Sequence, residues 1–424
     1  MLRALLRSLV LGLLLVTGAV LTPASAQETA ASPSPGGVAF DLEALSVVPE
    51  VFPAKELEVE GVETFFYAGP KSQGKPTRIF AYRGVPNAKA GETPKKVPGI
   101  VLIHGGGGTA FDRWVKLWNG RGYAAIAMDL CGCVPVGSYG KWERHENGGP
   151  PGWDASFGQL DSPVEDQWTY HAVSAVALGH TLLRAHPDVD SERIGMTGIS
   201  WGGYMTSVVS GVDSRFRFAV PVYGCGFLGD NSAWLGRLEM IGPEKSALWL
   251  KQWDPSHYLP KAKMPFLWVN GTNDFAYPMD SWQKSYRLPE ADRTLCLRIR
   301  MPHGHGAAGE NPEEIHAFAN QILTGGAPLP RIAKQGRTET ELWCEFEAAQ
   351  PIAKAELCFT SDSGAWKDRK WEAAAATLDA AGKRASAAIP AAATVAYLNL
   401  FDDRNCVVSM EHIELKPPAP VKQD

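Results

Sequence analysis

A serine flanked by glycines, where an apolar strand meets a helix, constrains this 424-residue chain more than any other feature. The segment RIGMTGISWGGYM (193–205) places Ser200 between Gly198 and Gly202. Its first half favours a short buried strand and its second half a helix. Small residues are needed where the two backbones nearly touch, and the serine at the tip is exposed in a strained conformation. The pattern predicts that Ser200 is a nucleophile; a purely structural turn is the alternative interpretation.

Strand and helix patterns alternate on both sides of this turn, which favours an α/β fold with a mostly parallel sheet covered by helices on both faces. The predicted strands are 63–68, 77–83, 97–103, 124–130, 193–197, 218–223, 265–270 and 295–300. The predicted helices are 111–120, 165–185, 202–211, 279–287 and 312–323. Two longer segments, 131–167 and 226–262, follow the carboxyl ends of strands, where open α/β sheets bind ligands. We expect both segments to shape a site, with simple surface loops as the alternative.

The pattern changes after Gly325 to short alternating strands, which predicts a small antiparallel β domain at the C-terminal end. The predicted division is a signal peptide (1–26), a flexible lead-in (27–37), an α/β catalytic domain (38–328), a β-sandwich-like domain (329–416) and a frayed tail (417–424). The signal peptide is predicted from Arg3 and Arg7, the apolar run 9–21, and Ala24-Ser25-Ala26. We expect cleavage after Ala26 and a secreted or periplasmic protein; an uncleaved anchor is the alternative.

Charge and cysteine content exclude several classes of partner. The net charge is 41 − 46 = −5 without a long basic run, so we expect no nucleic acid, and no membrane association after signal cleavage. Cys131 and Cys133 stand apart from any second ligand pair, so we expect no metal site. Export would permit disulfides, but seven cysteines leave at least one thiol unpaired and do not reveal the pairing.

A serine nucleophile needs a base within hydrogen-bond reach and a carboxylate that orients this base. Asp274 follows a predicted strand in the turn GTND, and His303 and His305 follow the next strand in MPHGHG. We favour His305 as the base because glycines flank it on both sides, and expect His303 to shape the pocket. Asp274 has a turn-forming role as its alternative, and Asp280 is a weaker rival for the carboxylate.

The run His104 to Gly108 (HGGGG) follows a buried strand directly and predicts an oxyanion hole. Glycines let backbone N–H groups face a developing negative charge, and we assign this role to Gly106 and Gly107. The N–H of Trp201, just after the serine, is the second expected donor. A phosphate loop is disfavoured because no Lys-Ser or Lys-Thr follows. Chemistry of this kind uses protein groups and water, so no cofactor is expected.

The motifs HGGGG, GISWGG, GTND and HGH, in this order, resemble those of the α/β-hydrolase superfamily over residues 60–325. Within it the chain is most similar to the secreted dienelactone hydrolase, prolyl oligopeptidase and acetylxylan-esterase-like group. The resemblance implies that Ser200 is the nucleophile, Asp274 the orienting carboxylate and His305 the base. It also implies an oxyanion hole made by Gly106 with Trp201.

These observations favour an exported serine hydrolase of carboxylic esters, with a small-molecule or polysaccharide ester of the acetylxylan type as its substrate. The choice of sugar esters rests on export and on tryptophans in the long segments, although tryptophan also serves ordinary packing. The candidate substrate-binding residues are His104, Trp142, Trp153, Trp234 and His303, and Trp168 and Trp253 are further tryptophans in or directly beside these segments. The alternatives are a prolyl-oligopeptidase-like peptidase and a catalytically silent binding protein.

Overall fold

A computed structural model describes residues 36–86 and 96–415. The predicted signal peptide, most of the predicted lead-in and the predicted tail (417–424) lie outside the described residues. Within the two described ranges, no helix is both long enough and apolar enough to cross a membrane.

The described chain contains twenty strands and eight α-helices, together with short 3₁₀ turns. The strands are β1 (Val51–Pro53), β2 (Glu63–Ser72), β3 (Lys75–Gly84), β4 (Val97–Ile103), β5 (Ala124–Met128), β6 (Cys133–Ser138), β7 (Lys141–Arg144), β8 (Val189–Ile199), β9 (Ala219–Val222), β10 (Phe266–Gly271), β11 (Arg293–Arg298), β12 (Arg331–Arg337), β13 (Glu341–Glu347), β14 (Ile352–Thr360), β15 (Glu372–Ala375), β16 (Thr377–Asp379), β17 (Arg384–Ala388), β18 (Val395–Asp402), β19 (Val407–Ser409) and β20 (Ile413–Glu414). The helices are α1 (Asp112–Gly120), α2 (Trp168–Arg184), α3 (Trp201–Ser210), α4 (Leu235–Met240), α5 (Pro243–Trp253), α6 (Met279–Tyr286), α7 (Ala307–Glu310) and α8 (Glu313–Leu323).

The largest sheet has nine strands in the order β1-β2-β3-β5-β4-β8-β9-β10-β11. The pairs from β1 to β5 are antiparallel, and all pairs from β5 to β11 are parallel. The prediction of a mostly parallel sheet with helices is therefore confirmed. Because the parallel strands end at one edge, the segments that follow β4, β8, β10 and β11 are brought together there.

The inner strands are apolar on both faces because both faces are covered by helices. In β4, Ile100 and Leu102 belong to an apolar cluster that includes residues of α1 and α8. Val101 and Ile103 belong to the other cluster, which includes residues of α2 and α3. The alternation of strand side chains between the two faces thus explains why this strand reads as a continuous apolar run.

The two long segments are more ordered than the sequence analysis predicted. The first contains the hairpin β6–β7, and the second contains α4 and α5. Gly242 precedes α5 and Pro243 begins it, which is a helix-start signal that could have been recognised. Similarly, the predicted helix 165–185 begins only at Trp168, after a separate 3₁₀ turn.

The C-terminal strands form two antiparallel sheets, of which the first has the order β12-β13-β17-β16. The second has the order β15-β14-β18-β19, and β20 pairs with β18. Strands β12, β15 and β16 carry only a weak strand pattern in the sequence, because they are short or polar and contain few β-branched residues. Cys344 and Cys358 lie on β13 and β14 in different sheets, and all seven cysteines are free.

Candidate active site

Ser200 lies between the end of β8 and the start of α3 with a strained backbone, at φ 59° and ψ −118°. Its N–H donates to Val222 O at 2.9 Å, and its carbonyl accepts the N–H of Tyr204 at 2.8 Å. The expected close approach of the two backbones is present: a Cβ on Gly198 would collide with Gly202 O, and one on Gly202 with Ile103 O. The turn therefore holds the serine side chain at the carboxyl edge of the sheet.

Ser200 is the first member of a hydrogen-bonded chain of three side chains. Its Oγ lies 2.8 Å from Nε2 of His303, and Nδ1 of His303 lies 2.6 Å from Oδ2 of Asp274. Asp274 is buried, and its other oxygen accepts the N–H groups of Ala276 and Tyr277 at 2.9 and 2.7 Å. A carboxylate held in this way can orient an imidazole, and the imidazole can take the serine proton.

The structure corrects the histidine assignment: His303, and not His305, contacts Ser200 and Asp274. His305 instead accepts the N–H of Gly105 on Nε2 at 2.9 Å and lies 3.0 Å from Glu310 Oε1 through Nδ1. The glycines beside His305 give its backbone conformational freedom, but this freedom does not determine which of the two histidine rings faces Ser200. Packing decides this, because Tyr223 and Phe275 contact the ring of His303, at centroid distances of 4.5 and 4.8 Å.

Asp280, the rival carboxylate, lies in the first turn of α6 and accepts hydrogen bonds from Asn231 Nδ2 at 2.9 and 3.1 Å. The loop of Asp274 has a further support that the sequence did not reveal. Asn273 Nδ2 donates to carbonyls of the C-terminal region, including Arg369 O at 2.7 Å and Lys367 O at 3.1 Å. The C-terminal region therefore contacts the residue directly before Asp274.

The glycine run after β4 lies against the serine turn, as predicted. A Cβ on Gly105 would lie 3.1 Å from that of Ser200, and one on Gly106 would lie 2.8 Å from the Trp201 ring. Trp201 begins α3, so its N–H has no carbonyl acceptor within the helix. Gly107 has a φ of +72°, a backbone conformation that favours glycine. The arrangement places candidate oxyanion donors beside the serine.

The hairpin β6–β7 donates hydrogen bonds to the carbonyl groups of this glycine run. Tyr139 Oη donates to Gly106 O at 2.7 Å, and Trp142 Nε1 donates to Gly107 O at 2.8 Å. Trp142, predicted to bind substrate, therefore supports the loop from outside the cavity.

His104 is buried beneath the glycine run. Its Nε2 accepts the N–H of Leu130 at 3.0 Å, and its Nδ1 lies 3.0 Å from Gly105 O. Burial lowers the pKa of His104 to about 3, which keeps the ring neutral. Asp129 is buried nearby, and burial raises its pKa to about 6 despite hydrogen bonds from the Cys131 and Cys133 N–H groups. His104 thus does not face the cavity, and its contacts are those of a structural residue.

Most of the candidate tryptophans also pack inside the protein. Trp168 and Trp253 are fully buried and donate Nε1 to Leu130 O and Gln167 Oε1. Trp153 packs edge-on to His104 at a centroid distance of 5.2 Å and does not line the cavity. Trp234 does line it.

The cavity above Ser200 has a volume of about 450 Å³, which suits a small ligand or one end of a longer one. Its aromatic lining consists of Trp201, Trp234, Phe275 and Tyr139. Phe275 and Tyr139 are 56% and 57% exposed, so both present apolar surface at the rim. Neither residue was predicted from the sequence, although Phe275 directly follows Asp274.

The cavity contains one carboxylate outside the hydrogen-bonded chain, that of Asp154. It accepts Trp234 Nε1 at 3.1 Å and pairs with Arg237 at 3.1 Å. Within the described ranges, no group of three or more His, Cys, Asp or Glu residues could hold a metal ion.

Two sequence models of known families match the chain over its central part. The model of the acetyl xylan esterase family (AXE1) matches residues 49–239, and that of the prolyl oligopeptidase family matches residues 159–323. The second match contains Ser200, Asp274 and His303.

Individual relatives are distant. Dipeptidyl-peptidase 5 of Schizosaccharomyces pombe is 25% identical over 215 residues, covering 48% of this chain and 28% of the yeast protein. A probable dipeptidyl-peptidase 5 of Aspergillus terreus is 25% identical over 244 residues, covering 54% of this chain and 30% of that protein. The chain therefore spans less than a third of the length of these curated relatives.

Among solved structures, acetyl xylan esterase 1 from Thermoanaerobacterium sp. superposes with a TM-score of 0.50 at 17% identity, covering 68% of this chain and 95% of that chain. The structural likeness and the family matches show that the chain has the α/β-hydrolase fold. The predicted resemblance and fold class are thus confirmed. The matched families support a serine hydrolase, at a level that includes both esterases and peptidases.

Proposed function

We propose that this chain is an exported serine esterase that cleaves carboxylic esters on acylated polysaccharides, of the acetylxylan type. The observation that carries the proposal is the chain Ser200–His303–Asp274 at the base of an open, aromatic-rimmed cavity. Flat aromatic rings such as Phe275 and Tyr139 suit the apolar faces of sugars. The AXE1 match over residues 49–239 supports the same substrate class.

In the proposed mechanism Ser200 Oγ attacks the ester carbonyl carbon while its proton moves to His303 Nε2. The N–H groups of Gly106 and Trp201 stabilise the oxyanion. The intermediate collapses by breaking the bond to the alcohol, which leaves with the proton from His303. Water then attacks the acyl-enzyme with His303 again as the base, and this releases the acid and restores Ser200. Asp274 keeps the imidazole oriented and stabilises its positive charge in both steps.

The cavity favours an ester over a peptide with a free amino terminus. Capture of an ammonium group needs an available carboxylate. Asp154 is the one carboxylate that lines the cavity among the described residues, and its oxygens already bind Trp234 and Arg237. The prolyl oligopeptidase match keeps a peptidase as the second candidate, because the same three side chains also cleave amides.

Replacement of Ser200 by alanine tests the proposal. We expect the wild type to release acetate from acetylated xylan and p-nitrophenol from p-nitrophenyl acetate, and Ser200→Ala to lower kcat by about 10⁴-fold or more. A fluorophosphonate should label the wild type and not the variant. Faster cleavage of peptide p-nitroanilides than of any ester would establish the peptidase, and folded wild type without labelling or turnover would indicate a silent binding protein.

Export has its own test, because the predicted signal peptide is outside the described residues. Expression of the full chain in a bacterium should yield an exported protein whose first residue is Gln27, determined by N-terminal sequencing. Recovery of the intact chain in the membrane fraction would support the uncleaved anchor instead.

A further inference from the structure

The second histidine of the HGH motif has a contact that the proposed mechanism does not use. His305 Nε2 accepts the N–H of Gly105 at 2.9 Å, and Gly105 directly precedes the proposed oxyanion donor Gly106. Because Nε2 accepts this bond, the ring carries its proton on Nδ1 and donates it to Glu310 Oε1 at 3.0 Å. Arg113 donates to the same carboxylate oxygen at 2.7 Å.

The two peptide groups of Gly105 are held by two different histidines. His305 holds the N–H, and His104, whose Nε2 accepts the N–H of Leu130, donates from Nδ1 to Gly105 O. The N–H of Gly108 also donates to Gly105 O at 3.0 Å. The N–H of Gly106 belongs to the same peptide plane as Gly105 O, so fixing this plane fixes the direction of the donor.

We propose that His305, with Glu310 and Arg113, is a positioning residue that sets the orientation of the oxyanion-binding glycine run. His305 lines the cavity, but its two ring nitrogens bond Gly105 and Glu310, so it acts through the backbone of Gly105. The ring packs edge-on against Phe111, which precedes α1, and Trp114 of α1, at centroid distances of 4.8 and 5.8 Å. This inference rests on the proposed function, because it assigns a role within the same site.

The acceptor role requires a neutral ring. Burial lowers the pKa of His305; Glu310 of α7 opposes this effect, while Arg113 of α1 and His303 on the same loop add to it. Tyr139 of the hairpin and His104 beneath the glycine run also face the ring. Protonation of Nε2 would turn this atom into a donor that faces the Gly105 N–H donor. The hydrogen bond between His305 and the glycine run should therefore be lost at acid pH.

Three substitutions separate this positioning role from a merely structural one. In His305→Gln the amide oxygen reaches the position of Nε2 and accepts the Gly105 N–H. In His305→Asn the shorter amide can still donate to Glu310 but cannot reach Gly105, and His305→Ala loses both contacts. We expect His305→Gln to stay within about tenfold of the wild-type kcat, and the other two to lose about 10- to 100-fold with little change in KM. Binding of phenylboronic acid, which forms a tetrahedral adduct on serine, should weaken in parallel with kcat.

The ion pair between Arg113 and Glu310 is tested by comparing the variant Arg113→Ala with the control variant Arg121→Ala. Both arginines extend from the region of α1 to acidic residues near α8, but Arg121 pairs with Glu313, away from the cavity. We expect only Arg113→Ala to shift the acid limb of the kcat–pH profile, toward higher pH, because loss of this cation makes protonation of His305 easier. Equal profiles for the two variants would overturn the role of Arg113.

Hydrogen–deuterium exchange of a peptide containing residues 104–108 provides a readout that does not depend on turnover. Exchange should be faster in His305→Asn and near wild type in His305→Gln, whatever the substrate is. Wild-type exchange and wild-type kcat in His305→Asn would overturn the inference. Retained turnover in Ser200→Ala would instead overturn the proposed function, so the two failures are distinguishable.

Discussion

Replacing His303 with alanine is expected to lower kcat for ester hydrolysis by about 10⁴- to 10⁶-fold, close to the loss in Ser200→Ala. The reason is geometric: His303 bridges Ser200 Oγ and the buried Asp274 carboxylate at 2.8 and 2.6 Å. Without the imidazole, the serine has no base for its proton and the leaving alcohol has no acid. Combining the two substitutions should add little, because the residues act as one unit.

The measurement is steady-state kinetics with p-nitrophenyl acetate, together with the rate of fluorophosphonate labelling. A matched control is His186→Ala, which removes a histidine after the end of α2 that does not line the cavity. We expect it to keep wild-type kcat. Near-wild-type turnover in His303→Ala, with a loss above 10⁴-fold in His305→Ala, would restore the assignment favoured by the sequence.

The second large expected effect is a loss of stability between pH 6.5 and pH 5. Burial lowers the pKa of His104, His316 and His412 to about 3 and that of His171 to about 4. A histidine in the unfolded chain titrates near pH 6.5, so below this pH the unfolded state binds more protons and gains stability. Each of these histidines destabilises the fold by about 2 kcal/mol at pH 5, as an upper bound.

Four such contributions amount to several kcal/mol. This is a large part of the free energy of unfolding of typical domains, which is roughly 5–15 kcal/mol. Asp129 acts in the opposite direction, because its raised pKa of about 6 lets the folded state take up a proton first. One carboxyl offsets no more than about one histidine, so the net direction stands.

Thermal unfolding from pH 7.5 to pH 4.5 measures this effect, and His412→Phe isolates one contribution. Neither nitrogen of His412 has a hydrogen-bond partner among the described residues, and the ring packs edge-on to Trp366. A phenylalanine fills similar space without a titratable group. We expect its Tm to exceed that of the wild type more at pH 5 than at pH 7.5, with no such change in His186→Ala. A Tm that stays constant from pH 7.5 to pH 5 would contradict the prediction.

The site shows which features local sequence encodes well. The turn around Ser200, the glycine run after β4 and the loop of Asp274 were each predicted from short motifs. All three lie at the ends of parallel strands, and strand alternation alone brings such ends together. The prediction of which histidine contacts Ser200 was wrong because His303 and His305 lie in the same loop and have the same sequence context. Their roles differ through neighbours distant in sequence: Tyr223 lies beside the first and Gly105 beside the second.

The prediction of the residues at the rim of the cavity was wrong for a related reason. Trp168 and Trp253 were assigned to the rim because they lie in or directly beside long segments rich in aromatic residues, but both are core residues. Phe275 and Tyr139, which form the exposed rim, carry no motif of their own. Exposure of a side chain depends on what packs over it, which composition does not state.

The sequence by itself determined the sheet, the nucleophile turn and the order of the motifs, because each depends on periodicity or on backbone sterics within about a dozen residues. Only the tertiary structure decided that His303 contacts Ser200, that His305 holds Gly105, and that Asn273 binds the C-terminal region. These contacts join residues far apart in the chain, and side-chain packing chooses among alternatives that local sequence leaves equally open.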